Sequence, residues 1–207
     1  FTNQLPINYI QGQACPNWKK YLEETISTED IKLLQEYAGF CLYRRYFQKK
    51  AMICVGEKDT GKTTTLSVLI RFLGQENTSS QSLQKVTSDR FAAQFLKGKY
   101  ANINDDLPYQ DLNDGGNFKI ATGGGYLAAE EKFGDCDQFL NYAKFIFSCN
   151  QFPPVKNTND IAFFDRWLII RFANQIEQKN PFLLDQLTTD AELSGILNWA
   201  LDGLQRL

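Results

Sequence analysis

The stretch Gly56-Glu57-Lys58-Asp59-Thr60-Gly61-Lys62-Thr63 matches the pattern G-x-x-x-x-G-K-[ST] at every fixed position. Glycines let the backbone N–H groups of such a loop turn inward and approach phosphate groups closely. Lys62 would reach the β- and γ-phosphates of a nucleotide such as ATP, and the Thr63 hydroxyl would ligate Mg²⁺. The predicted nucleotide-binding residues are Gly56, Glu57, Lys58, Asp59, Thr60, Gly61, Lys62, Thr63 and Thr64.

The segments on either side of this loop favour the same interpretation. Residues 51–55 form a short apolar run that predicts a buried strand. Residues 64–73 carry apolar side chains at helical spacing, and Gly74 is suited to end that helix. A strand, a loop and a helix in this order place an anion at a helix N-terminus. The alternative is a glycine-rich turn that binds no nucleotide.

The charge balance limits how the chain could meet nucleic acid. Its 207 residues are 43% hydrophobic, which is enough for one ordinary core. There are 22 basic and 24 acidic residues, so the net charge of −2 differs from the strongly basic balance of an autonomous DNA-binding domain. Any contact with nucleic acid would be local or shared among several subunits. Because the chain begins at Phe1 and shows no signal-peptide pattern, we expect a piece of a longer protein.

The complete absence of histidine excludes several kinds of chemistry. Ser-His-Asp and Cys-His catalysis and His-ligated metal sites are ruled out. Carboxylates, Lys, Arg, hydroxyls and bound ions remain, and these suit phosphoryl transfer. The five cysteines are widely spaced without a C-x-x-C pair, and no apolar stretch approaches the length of a membrane span. We therefore expect a reducing, intracellular location.

The order of patterns along the chain predicts an α/β fold. Candidate strands at 51–55, 100–104, 144–149 and 167–172 alternate with helical patterns, which favours a central, mostly parallel sheet over residues 49–177. Residues 1–48 are interpreted as a helical N-terminal extension, or alternatively as the first layer of the same domain. Residues 178–207 form a predicted C-terminal helical segment.

Polar residues follow two of the candidate strands. Asp105 and Asp106 come after 100–104, and a phosphate-loop enzyme needs one acid near Mg²⁺ and commonly another to orient the attacking water. We assign Asp105 to the metal and Asp106 to the water, with the two roles interchangeable; the alternative is a solvated turn. Asn150 follows 144–149 and could hydrogen-bond the water or the γ-phosphate, or simply open the turn that leads to Pro153.

Arg166 stands directly before the last candidate strand. An arginine beside a nucleotide site can stabilise the charge of the transition state, either in its own subunit or from a neighbouring one. The alternative is an ordinary surface charge, since most arginines are on the surface.

The order of these motifs resembles the superfamily-three helicases of the AAA+ class, most closely the helicase domain of phage and plasmid primase–helicase proteins. The resemblance covers about residues 35–175. Several stretches in order are far more specific than any one of them. Besides the phosphate loop they are NINDDLP (102–108), FKIATGG (118–124) leading to EEKF (130–133), FSCNQFPP (147–154) and FFDRWLIIRF (163–172).

The resemblance implies an AAA+ type core that assembles as hexameric rings around DNA, with each ATP held between subunits. It places Lys132 and Phe133 at the tip of a hairpin that faces the nucleic acid, whereas the residues alone indicate an exposed β-turn. It also makes Arg166 an arginine finger that acts on a neighbour's ATP. Primase or origin-binding domains would then be attached outside this chain, in a protein of the host cytoplasm or the site of viral or plasmid replication.

The leading hypothesis is therefore an ATP-dependent replicative DNA helicase motor of a virus, phage or plasmid, with Lys62, Asp105, Asp106, Asn150 and Arg166 as catalytic residues. One alternative is a phosphate-loop ATPase that acts on RNA or packages DNA. Another is a non-catalytic module whose assembly depends on nucleotide.

Overall fold

The computed structural model describes residues 3–89, 91–109, 116–130, 136–155, 159–176 and 179–207. The strands are β1 (Ala51–Gly56), β2 (Thr78–Ser79), β3 (Ala101–Asn104), β4 (Tyr126–Glu130), β5 (Cys136–Leu140), β6 (Lys144–Cys149) and β7 (Trp167–Phe172). The helices are α1 (Pro16–Thr25), α2 (Thr28–Leu42), α3 (Lys62–Leu73), α4 (Leu83–Ser88), α5 (Gly116–Thr122), α6 (Ile161–Phe164), α7 (Leu183–Leu187) and α8 (Asp190–Arg206). Short 3₁₀ turns occupy Gln75–Asn77 and Ala92–Leu96.

Five strands form one central sheet in the order β2-β3-β6-β1-β7. Every neighbouring pair in it is parallel, from β2 and β3 at one side to β1 and β7 at the other. The predicted α/β fold with a central parallel sheet is confirmed, and it is consistent with a P-loop NTPase core. Three of the predicted strands coincide with β1, β6 and β7 to within one residue, and β3 begins one residue later than expected.

The inner strands are buried on both faces, as parallel sheets require. Along β6 every residue is buried. Successive side chains alternate between two hydrophobic clusters: Ile146 joins one, while Phe145 and Phe147 join the other. Helices therefore cover the sheet on both sides, and its strand ends are left free to carry polar residues.

The N-terminal and C-terminal helices pack on the same face of the sheet as α3 and share one hydrophobic cluster with it. Helices α2 and α8 approach closely at two glycines. A Cβ on Gly39 would overlap the carbonyl oxygen of Ala200, and one on Gly203 would overlap that of Gln35. The Glu192 carboxylate of α8 accepts hydrogen bonds from the first backbone N–H groups of α1.

The cysteines at 15, 41, 54 and 149 are buried free thiols. Burial raises the pKa of Cys41 and Cys54 to about 12 and the pKa of Cys15 and Cys149 to about 11. Thiols of this kind stay protonated at neutral pH and act as small core side chains. Within the described residues, the structure contains no helix with the length and apolar character needed to span a membrane.

Candidate nucleotide-binding site

The phosphate-loop motif connects β1 directly to α3. Strand β1 ends at Gly56 and α3 begins at Lys62. Gly61 has φ +98°, and a Cβ added there would lie 2.5 Å from the Tyr21 hydroxyl oxygen. Only glycine fits this position, because both the backbone conformation and the neighbouring phenol exclude a side chain. Asp59 also has positive φ, at 62°, so the loop bends sharply between strand and helix.

The Lys62 ammonium group lies inside the arch of this loop. Its Nζ donates hydrogen bonds to the carbonyl oxygens of Gly56 and Glu57, both at 2.7 Å. The Thr60 hydroxyl donates to the Glu57 carbonyl at 2.8 Å and closes the turn. The N-cap residue of α3 is Gly61, which has no side chain to cap the helix. The first N–H groups of a helix have no partner within the helix, so this end suits a phosphate in both geometry and charge.

The strand order brings the other predicted residues to the same edge of the sheet. In a parallel sheet the carboxyl ends of neighbouring strands meet, and β3, β6 and β1 are adjacent. Asp105 and Asp106 follow β3, and Asn150 follows β6. An open cleft of about 610 Å³ lies there. It is lined by Lys58, Asp59, Thr60, Gly61, Lys62, Thr63, Thr64, Asp105, Asp106, Ser148, Asn150, Ile176, Lys179, Asn180 and Leu183.

The carboxylate of Asp105 is fixed by Ser148, a fully buried residue of β6. The Ser148 hydroxyl donates to Asp105 Oδ1. The same oxygen accepts the Asp106 N–H at 3.0 Å, and Ser148 Oγ accepts that N–H at 3.0 Å as well. Sequence reasoning missed Ser148, because its hydroxyl matters only once β6 lies beside β3. The bonds orient Asp105 toward the cleft in a way suited to a metal-binding carboxylate.

Tyr21 of α1 packs against the phosphate loop. Sequence reasoning did not identify it as part of the site. Its hydroxyl donates to the Gly61 carbonyl at 2.6 Å and lies 3.2 Å from Thr65 Oγ1. Burial raises the pKa of Tyr21 to about 12, so the phenol remains a neutral donor at physiological pH. Helix α1 therefore contacts the loop directly.

The segment after β7 forms the remaining wall of the cleft. The Ile176 N–H donates to the Asp59 carbonyl at 2.9 Å, and Lys179 Nζ lies 2.9 Å from Asp59 Oδ2. The hydrogen bond from Lys179 lowers the pKa of the Asp59 carboxyl. Ile176 and Leu183 add apolar surface beside the loop. No sequence pattern indicated that these residues belong to the site, since they lie more than 100 positions after the phosphate loop.

Arg166 lies at the opposite edge of the sheet from this cleft. It precedes β7, whose first residue pairs with the first residue of β1. A strand of this length spans about 20 Å. The guanidinium turns toward α5 and donates to the Thr122 hydroxyl at 2.9 Å. Arg166 therefore does not join the phosphate loop of its own chain.

Strands β4 and β5 form a separate antiparallel pair that follows α5. The predicted nucleic-acid-contacting residues Lys132 and Phe133 belong to the segment between them and lie outside the described residues. Their placement stays a prediction.

Comparisons with known proteins give a family and a set of similar folds. The sequence model of the family of unknown function DUF5906 matches residues 54–166, more than half of the chain. No curated protein matches the sequence. Two A-form apo structures of the NrS-1 C-terminal region match at 17% identity. The first has a TM-score of 0.69 over 92% of this chain and 46% of its own. The second has a TM-score of 0.70 over 95% of this chain and 47% of its own. A further apo structure of that region matches at 16% identity with a TM-score of 0.67, over 92% of this chain and 47% of that one. The chain thus spans about half the length of these structures, and the likeness shows the fold.

Proposed function

The chain belongs to the DUF5906 family of unknown function, and we propose that it is an ATP-hydrolysing motor that moves on DNA. The finer proposal is the replicative helicase motor of a virus, phage or plasmid. The observation that carries it is the convergence of a phosphate loop, two carboxylates and an amide on one open cleft. These are the parts that phosphoryl transfer requires.

Each group in the cleft has a chemical role that its position allows. Lys62 and the N-terminus of α3 bind the β- and γ-phosphates, because they supply positive charge at the loop. Thr63 and Asp105 would hold Mg²⁺, which would supply positive charge to neutralise the phosphates. Asp106 and Asn150 line the same cleft and would orient the attacking water.

The position of Arg166 supports a site shared between subunits. The residue is one strand length from the cleft of its own chain, so it can stabilise transition-state charge only on a nucleotide held by another copy. We propose a homo-oligomeric ring, by resemblance a hexamer, with ATP hydrolysed at the subunit interfaces. Six chains that each place Lys132 and Phe133 toward the centre would offer cationic and stacking contacts to single-stranded DNA.

The test measures Mg²⁺-dependent ATP binding by calorimetry and ATP turnover with and without single-stranded DNA. Wild type should bind and hydrolyse ATP, and Lys62→Ala should abolish turnover. Lys20→Ala is the matched control, since this lysine is exposed on α1 and forms an ion pair with Glu24 away from the cleft lining. A folded wild-type protein that takes up no nucleotide would refute the proposal.

Two further measurements separate the alternatives. Unwinding of a forked DNA duplex supports the helicase motor, whereas stimulation of turnover by RNA and not by DNA would favour an ATPase that acts on RNA. Nucleotide-dependent assembly without turnover would replace the motor with a non-catalytic assembly module.

A further inference from the structure

Within the described residues, the guanidinium of Arg166 donates its hydrogen bonds to neutral oxygens. Its charge reaches the Asp160 carboxylate, whose pKa is lowered mainly by the hydrogen bond from Lys119 and further by Arg166. Nε donates to Thr122 Oγ1 at 2.9 Å and Nη2 to the Lys119 carbonyl at 3.4 Å. Nη1 donates to the Ala162 carbonyl within its own turn. A guanidinium bound this way is held more weakly than one paired with a carboxylate or a phosphate. It can therefore exchange these partners for a phosphate, and we call the arrangement seen here the docked conformation.

Thr122 is built to accept this bond. Its side chain is fully buried at the last position of α5, and its hydroxyl donates to the Phe118 carbonyl at 2.7 Å. Because the single hydroxyl proton is used there, an oxygen lone pair is left for Arg166 Nε. Arg166 also donates to the carbonyl of Lys119, which accepts the Gly123 N–H at 3.0 Å as well, and so it adds to the cap at the C-terminus of α5.

The last turn of α5 also anchors both strands of the β4–β5 pair. Gly125, directly before β4, donates its N–H to the Ile120 carbonyl at 3.0 Å. Asn141, directly after β5, donates its side-chain amide to the Ala121 carbonyl at 2.8 Å. The last turn of α5 is thus hydrogen-bonded both to Arg166 and to the residues that flank the hairpin.

We propose that Thr122 is a positioning residue that holds Arg166 in the docked conformation and couples it to the β4–β5 hairpin. This inference rests on the proposed function, in which Arg166 acts on a neighbour's nucleotide. Arg166 must leave the Thr122 hydroxyl and the end of α5 to reach that nucleotide. A ligand that moves the base of the hairpin therefore shifts the equilibrium between docked and released Arg166. By linkage, release of Arg166 changes the affinity for that ligand by the same factor.

The test compares Thr122→Val, which removes the hydroxyl at nearly the same shape, with Thr122→Ser, which keeps it. Thr122→Val should raise the basal kcat for ATP about tenfold, because one hydrogen bond to a charged group no longer holds Arg166 back. KM for ATP should stay unchanged, and the stimulation by a single-stranded DNA oligonucleotide should shrink by a similar factor. Thr122→Ser should behave as wild type, and Thr122→Val combined with Arg166→Ala should be as inactive as Arg166→Ala alone.

An increase in kcat would support the proposal, because structural damage alone does not accelerate turnover. A folded Thr122→Val protein whose basal kcat is unchanged or lower overturns it. Hydrogen exchange gives a readout that needs no turnover. Without nucleotide, Arg166→Ala should speed exchange of the Gly123 amide about tenfold, because this amide donates to the Lys119 carbonyl that Arg166 also binds. The Gly125 amide, which donates to the next carbonyl of the same turn, should follow in the same direction. Unchanged exchange would refute the link between Arg166 and α5. A wild-type protein without ATP turnover would refute the proposed function. The hydrogen-exchange measurement would still decide whether Arg166 stabilises the end of α5.

Discussion

Replacing Lys144 by methionine should remove a pH dependence of stability that lies above pH 8. Lys144 is the first residue of β6 and is fully buried. Its Nζ donates to the carbonyl oxygens of Tyr142 at 2.8 Å, Arg45 at 3.1 Å and Tyr43. The same nitrogen lies 4.5 Å from the ring centroid of Phe40. This is a buried cation held by neutral oxygens and an aromatic face, with no carboxylate among those partners.

Burial lowers the pKa of Lys144 from 10.5 to about 8. Between these values the unfolded chain binds a proton that the folded chain does not, so stability rises with pH across this window. Below pH 8 both states are charged, and the folded state bears the full cost of burying the ammonium. One pKa unit corresponds to about 1.4 kcal/mol, so the contribution between about pH 7 and about pH 10 is on the order of 2–3 kcal/mol.

The assay is urea unfolding of wild type and Lys144→Met at several pH values, followed by tryptophan fluorescence. The free energy of unfolding of wild type relative to the variant should increase by that amount from about pH 7 to about pH 10. Cysteines and tyrosines with raised pKa act in the opposite direction, because the unfolded chain loses their protons first. They are present in both proteins and largely cancel in the difference.

Cys41 needs a separate control, because its pKa and that of Lys144 influence each other. The comparison is therefore repeated with Cys41→Ala in both proteins. If the difference between wild type and Lys144→Met stays flat with pH in both backgrounds, Lys144 keeps its ordinary pKa inside the fold. The three carbonyls and the ring would then compensate fully for the loss of water, and the reasoning would be refuted.

Four other changes have defined outcomes. Gly61→Ala should lower the free energy of unfolding by at least about 1 kcal/mol, since the residue has φ +98° and its new Cβ would lie 2.5 Å from a tyrosine hydroxyl. Gly12→Ala is the control for backbone strain alone, because Gly12 has φ +73° and open space around it. An equal loss of stability in both variants, measured by thermal unfolding, would contradict the clash. Lys62→Ala should abolish ATP turnover, and activity close to wild type would remove the loop from the mechanism. Arg166→Ala should bind ATP without hydrolysing it, and mixing it with Lys62→Ala subunits should restore part of the turnover; no recovery in mixed oligomers would argue against action between subunits. Lys132→Ala should keep the DNA-free ATPase while DNA binding and unwinding fall, and unchanged unwinding would contradict its assignment.

Local sequence patterns were sufficient to predict the main strands of the sheet and the position of the phosphate loop. The phosphate loop carries its own signature in consecutive residues, and the apolar runs that became β1, β6 and β7 are short, continuous and bounded by polar residues. Asn150 could be found because it directly follows such a run, and Asp105 and Asp106 because they follow the candidate strand 100–104. Since the carboxyl ends of parallel strands share one edge, predicting the strands also predicted that these side chains come together.

The sequence by itself thus determined which segments form strands and where the phosphate loop lies. The tertiary structure decided what surrounds them: Ser148 on Asp105, Tyr21 beneath Gly61, Lys179 against Asp59 and Arg166 at the far end of the sheet. Each of these contacts joins residues 20 or more positions apart. Such contacts depend on the order in which strands pair and on which helices cover each face, and that order is set by packing of the whole chain rather than by any local pattern.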